Sequence, residues 1–267
     1  MAKKIGFALG AGGSRGVAHI GFLKAMEEMG ITPDFVTGSS MGAVVGACYA
    51  IGLSPDKMID EVLKLRFSDI FDLSLNPIGS GALLRAKRVR KRLLTYFGDT
   101  KFSELKVPFN CVAVDLFSGQ KRVFEKTDLV IDGVVASISI PAVFRAQEFH
   151  GTKLIDGGIL CRVPVEEVRA MGADTIVAVD VLGEVRPSNK KHNLIGVVFR
   201  MQEIMDSALN KLMIKESKPD LYLTPELGEM AQFKFKDLRF AFDMGYKCAM
   251  DNKDKIQEII LKEKEQS

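Results

Sequence analysis

The sequence lacks tryptophan altogether, has only three histidines and four cysteines, and offers no apolar run long enough to cross a bilayer. The histidines show no ligand-like spacing, so no metal centre is expected. Cys48, Cys111, Cys161 and Cys248 are widely separated, form no C-x-x-C pair, and in three cases lie in apolar runs. They suit reduced core thiols of a cytoplasmic protein rather than a disulfide scaffold. The longest apolar stretch, Met41 to Leu53, falls short of the ~20 residues of a spanning helix. Lys3-Lys4 ahead of Ile5 to Leu9 imitates a signal peptide, but the apolar region soon runs into glycine-rich sequence and Arg15, so secretion is not expected. A charge imbalance is also missing. Lys plus Arg number 37 against 34 for Asp plus Glu, so any basic signal must be local.

What remains is a chain of 267 residues, 47% apolar, without low-complexity linkers or repeats. That is material for one large α/β domain over 1–267: a core over about 1–182, with a helical part from about 190 onward packed on it.

The most informative stretch is Gly38-Ser39-Ser40-Met41-Gly42, between Phe35-Val36-Thr37 and the apolar run from Ala43 to Leu53. Read locally, this is strand, sharp turn and buried helix. A G-x-S-x-G at such a turn forms a nucleophile elbow, in which glycines allow the tight bend and the serine hydroxyl stands at a helix N-terminus. Ser40 is therefore the candidate nucleophile. Five-residue matches of this kind also arise by chance, so the surrounding sequence must support it.

Lys4 to Leu9 reads as a buried parallel strand, followed by Gly10-Ala11-Gly12-Gly13-Ser14-Arg15-Gly16 and a helix from about Val17 to Met29. The glycine loop lacks the G-K-[ST] of a Walker loop and the G-x-G-x-x-G of a dinucleotide site. Two readings stay open: a plain tight turn, or an oxyanion loop whose bare amides can approach a ligand closely. Arg15 would anchor that loop or add to its field.

Ser54-Pro55 opens the next helix as cap and first residue. After loop-like sequence at 66–82, a helix is expected over Leu83 to Phe97. Six of the eight residues from Arg85 to Arg92 are basic, while Ala86, Val89, Leu93 and Phe97 share one face. This helix either rests on an anionic membrane or is a core-packed helix with a solvated basic face. Nucleic acid is not favoured, because no aromatic residues interleave the charges. Strands are expected at 109–114, 121–124, 153–155, 175–179 and 221–223, and helices at 128–139, 165–171 and 194–215, with two more to finish and a fraying end at 262–267. In the long helix, Leu194, Val198, Met201, Met205, Ala208 and Leu212 form an apolar stripe read as core filler.

A serine needs a base. His19 lies in an apolar helix, His150 in a turn and His192 in a polar loop, and none has motif support. Asp115, Asp156 and Asp180 sit at strand ends, where the C-terminal edge of a parallel sheet places catalytic side chains. Asp156 stands out, because Gly157-Gly158 leave it unobstructed. An ordinary aspartate is a weak base at neutral pH, so burial would have to raise it.

Taken together, the glycine loop, the elbow and Asp156-Gly157-Gly158 resemble the patatin-like phospholipase family, in particular compact bacterial members similar to the catalytic domain of neuropathy target esterase. Arg15 to Gly21, Val114-Asp115-Leu116, Ala136-Ser137-Ile138 before Ile140-Pro141, Phe233 to Asp237 and Asp243 to Tyr246 look similar too. The resemblance implies a three-layer α/β hydrolase with a largely parallel mixed sheet, and a Ser40–Asp156 dyad without histidine. It also implies an oxyanion loop using the amides of Gly12, Gly13 and Ser14, no cofactor, and hydrolysis of lipid acyl esters. An acyltransferase using the same acyl-serine, or a peripheral lipid-binding protein with an idle dyad, are the alternatives. One departure is notable. Cys161-Arg162 stand where relatives often have asparagines before a Val-Pro pair, which puts the support of Asp156 in question.

Overall fold

The computed structural model describes residues 3–66, 72, 82–185, 187, 194–232 and 237–261. The first apolar run is strand β1 (Ile5–Leu9), which passes through the glycine loop and a 3-10 turn (Gly13–Val17) into α1 (Ala18–Glu28). β2 (Phe35–Ser39) feeds α2 (Met41–Ala50), a helix apolar on all sides and largely buried. In α3 (Pro55–Lys64), Ser54 Oγ accepts the Lys57 N–H at 3.4 Å, the expected N-cap. β3 (Ala82–Leu84) precedes α4 (Lys87–Phe97), and β4 (Phe109–Asp115) turns back as β5 (Lys121–Val123). Then come α5 (Val130–Ser137), β6 (Ala142–Phe144), β7 (Gln147–Phe149), β8 (Thr152–Asp156), α6 (Val165–Ala170), β9 (Thr175–Val179) and α7 (Leu194–Ser217). β10 (Leu221–Leu223), α8 (Leu238–Asp251) and α9 (Lys253–Leu261) complete the order.

The main sheet runs β10-β9-β1-β2-β4-β8-β7, with β5 paired to β4 off this path. The five strands from β10 to β4 are parallel, while β8 and β5 pair antiparallel with β4 and β7 pairs antiparallel with β8. Alternation along β1 sends Phe7 and Leu9 into the larger apolar cluster and Ala8 into a second one with Val165, Val168 and Ile176. Helices α1, α2, α5 and α8 cover the first face, and α6 covers the other. This is the expected three-layer α/β arrangement.

Register explains the site. Leu9 pairs with both Gly38 and Val179, and Ser39 with Val112, so the glycine loop, the elbow and Asp180 leave the sheet at one edge. Asp156 arrives differently. It ends an antiparallel strand and pairs with Ala113, one residue beyond the partner of Ser39. The expectation that it lies on the carboxyl edge of a parallel strand is replaced by this descent from the opposite direction.

Three further differences have local causes. Ala82 to Leu84 are a strand, because β3 finds a parallel partner in β6 that periodicity cannot reveal. The short strands β6 and β7 lack any alternating signal of their own. The α7 stripe faces outward: Val198, Met201, Met205 and Leu212 are exposed, and Asn210 is buried instead. In α4, Ala86, Val89, Leu93 and Phe97 are buried, as a core-packed helix requires, while Arg90 and Arg92 pair with Asp132 and Glu61 at 2.6 Å. Cys48, Cys111 and Cys161 are buried free thiols, and burial alone raises Cys48 to about 12. Most of the loop-like sequence at 66–82 (67–71 and 73–81), His192, Phe233 to Lys236 and the end from 262 lie outside the described residues.

Candidate active site

Ser40 occupies the N-cap of α2 with φ 52° and ψ −120°, a strained conformation for a residue with a side chain. Its neighbours permit this only as glycines. A Cβ on Gly38 would stand 2.4 Å from the Gly42 carbonyl oxygen, and one on Gly42 would stand 2.1 Å from that of Leu9. The bend is held from outside as well, since the Ser40 N–H donates to Ser137 Oγ at 2.9 Å.

Ser40 Oγ donates to Asp156 Oδ2 at 2.6 Å, and both residues are at least 96% buried. Asp156 Oδ1 accepts the Gly158 N–H at 2.7 Å, so each carboxylate oxygen has its own donor. The Asp156 N–H in turn donates to the Ser139 carbonyl at 3.0 Å. Burial raises the Asp156 carboxyl to about 7; the bonds from Ser40 and Gly158 oppose this, and the nearby charge of Asp206 reinforces it. The carboxyl therefore titrates where a general base is useful.

The glycine loop lies against residues on either side of this pair: a Cβ on Gly42 would stand 2.7 Å from the Gly10 carbonyl oxygen, and one on Gly158 would stand 3.0 Å from Ala11 Cβ. Gly10 N–H donates to Val179 O and Ala11 N–H to Arg162 O, each at 2.9 Å. His19 is fully buried with Nε2 2.8 Å from the Gly10 carbonyl, and desolvation lowers it to about 4. Ser14 differs from its expected role: its N–H donates to Gln232 O at 2.7 Å and its Oγ to Ala231 O at 3.0 Å. Arg15 is an anchor, its Nε bonding Met230 O at 2.8 Å and its Nη2 Gly228 O at 2.6 Å. Among the described residues the N–H groups of Gly12 and Gly13 have no acceptor.

The other sequence candidates are engaged elsewhere. Asp115 closes the β4–β5 turn, accepting from Phe117 N–H and Thr152 Oγ. His150 is exposed on a turn, its Nε2 3.7 Å from Asp128. Asp180 is held by Arg162 and Tyr222.

A family model for patatin-like phospholipases matches residues 7–169, a span that holds the glycine loop, the elbow and Asp156. The chain belongs to the patatin-like phospholipase family. An uncharacterised NTE family protein of Mycobacterium tuberculosis is 35% identical over 181 residues, covering 67% of this chain and 49% of its own. The lysophospholipase NTE1 of Saccharomyces cerevisiae is 31% identical over 184 residues, covering 67% of this chain and 11% of its own. The chain thus spans half or less of these relatives. Among solved structures, VipD from Legionella pneumophila superposes with a TM-score of 0.55 at 14% identity, over 95% of this chain and 67% of that one. The type III effector ExoU gives 0.51 at 14%, over 97% and 54%. These two likenesses support the fold.

Within this patatin-like framework the Cys161-Arg162 departure has a clear structural consequence. Arg162 is buried, with Nη2 2.8 Å from both oxygens of Asp180 and 2.6 Å from the Gly183 carbonyl. Its Nη1 reaches Asp206 Oδ2 on α7 at 3.4 Å. Tyr222 Oη donates to Asp180 at 2.6 Å and receives the Asn210 amide at 3.1 Å. Burial also raises Asp206 to about 7, against the lowering effect of Arg162. Sequence reading missed Asp206, Asn210 and Tyr222. They come from segments far along the chain and carry no local motif, although Arg162 was itself conspicuous.

Proposed function

We propose that this chain is a serine acyl hydrolase acting on lipid carboxylic esters, of phospholipid or lysophospholipid type. The observation that carries the proposal is the short hydrogen bond from Ser40 to a buried carboxyl, and it is supported by a glycine loop whose Gly12 and Gly13 amides have no acceptor among the described residues.

In this reading the Asp156 carboxylate takes the Ser40 proton as Oγ attacks the ester carbonyl. The N–H groups of Gly12 and Gly13 receive the developing oxyanion, helped by the positive end of α2. The amide of Ser14 is spent on Gln232 and serves to hold the loop. Collapse of the tetrahedral adduct breaks the C–O bond to the alcohol, which leaves with the proton held by Asp156. Water then attacks the acyl-serine, giving its proton to Asp156, and the free acid departs as Ser40 is reprotonated. The scheme balances without a metal or organic cofactor.

A fluorophosphonate probe tests the nucleophile. Wild-type protein should label at Ser40 and hydrolyse acyl esters, while Ser40→Ala should do neither and keep its melting temperature. Equal ester hydrolysis by Ser40→Ala would overturn the proposal.

A further inference from the structure

Helix α7 has 24 residues, about 36 Å at the usual rise. Along it, Val197, Val198, Met201, Ile204, Met205 and Leu212 are each between 43 and 67% exposed. Their spacing places all six on one face. Single exposed apolar residues are ordinary, but a continuous stripe this long marks a docking surface.

The occupant follows from shape, charge and position. Together these side chains offer roughly 600 Å² in a strip one helix wide, short of the ~800 Å² each partner contributes to a stable protein interface. A lipid surface has no such requirement. The stripe continues through Ala208 to Lys211 and Lys215, while no carboxylate lies on it between Val197 and Lys215. Among the described residues Lys211 pairs with the well-exposed Glu184, at 3.1 Å. Glu203 pairs with Arg200 at 2.8 Å off the stripe, and Asp206 points the opposite way, to Arg162. An apolar face ending in lysines is the pattern of an interfacial helix on anionic lipid. The inward side of the same helix reaches the site through Asp206 and Arg162, whose carbonyl binds the glycine loop at Ala11. One helix diameter therefore separates the stripe from the network beside the dyad. α4 is the weaker candidate, because its apolar face is buried in the core.

We propose that the outward stripe of α7 rests on an anionic lipid surface and presents the site to its substrate. The substrate part rests on the acyl-hydrolase reading, whereas the docking does not.

The test is co-sedimentation with phosphatidylcholine vesicles, with and without phosphatidylglycerol, using Ser40→Ala protein so that no lipid is consumed. A second protein adds Val198→Gln, Met201→Gln and Met205→Gln, and a third adds Arg88→Gln and Lys91→Gln in α4. The α7 changes should weaken partitioning by roughly 100-fold, more than those in α4. In protein that keeps Ser40, the α7 changes should depress vesicle hydrolysis and leave a soluble short-chain ester unaffected. Undiminished binding would overturn the docking proposal. So would a dimer that the α7 changes convert to monomer with partitioning unaltered, because a second copy would then own the face. Vesicle binding without fluorophosphonate labelling of the wild type would uphold docking and sink the hydrolase reading alone.

Discussion

Arg162 Nη1 stands 3.4 Å from Asp206 Oδ2, and this contact fastens α7 to the loop that follows Asp156. The same guanidinium grips Asp180 at the end of β9, and its carbonyl holds the glycine loop. A single buried side chain thereby links three segments around Ser40 and Asp156.

Arg162→Met should destabilise the protein strongly, since it leaves Asp180 in the interior with Tyr222 and the Leu182 amide as its remaining donors among the described residues. Breaking one side of a buried ion pair costs about 3–5 kcal/mol. The urea midpoint measures it, and a loss below ~1 kcal/mol would contradict this account.

Asp206→Asn acts on Asp156 by charge. Removing a negative group that raises Asp156, and leaving Arg162 less balanced, should move the acid limb of kcat/KM to lower pH. In wild type that limb should lie near 7, with activity rising as Asp156 ionises. A pH profile of soluble-ester hydrolysis reads both, and an unmoved limb in the variant would separate Asp206 from the dyad.

Asp156→Asn should cut kcat by about a thousandfold. Stability should change in the other direction. A carboxyl raised from its ordinary value to about 7 in the fold is paid for as pH rises past the unfolded value, and the charged form is fully costly above 7. At pH ~8 the asparagine variant should therefore be the more stable protein, by at least ~1 kcal/mol.

His19 provides the opposite sign. Its folded value of about 4 lies below the ordinary 6.5, so its contribution is fully present above 6.5 and is lost as pH falls towards 4. Asp156 and Asp206 oppose this in the wild type, so the informative quantity is the difference from His19→Gln. The wild-type advantage in urea midpoint should shrink by a few kcal/mol equivalents between pH ~7 and ~4.

Gly42→Ala should cost about 1–3 kcal/mol and abolish probe labelling, because its Cβ meets the Leu9 carbonyl at 2.1 Å. Retained labelling at wild-type stability would mean the elbow can open without loss.

Sequence alone determined the strand–elbow–helix unit at Ser40, the buried parallel strands and the glycine loop, because each is written in adjacent residues. Bare glycines beside a serine, or an unbroken apolar strand, carry their own physical meaning locally. Asp156 was also readable, through the two glycines after it. Tertiary structure alone decided that Asp156 comes down an antiparallel strand, that Ser14 spends its amide on Gln232, and that Arg162 joins Asp180 to Asp206. It also turned the α7 stripe outward, since helical spacing gathers apolar residues on one face without saying which way that face looks. Each of these depends on partners eighteen or more residues away, and no local pattern encodes where the chain will meet itself.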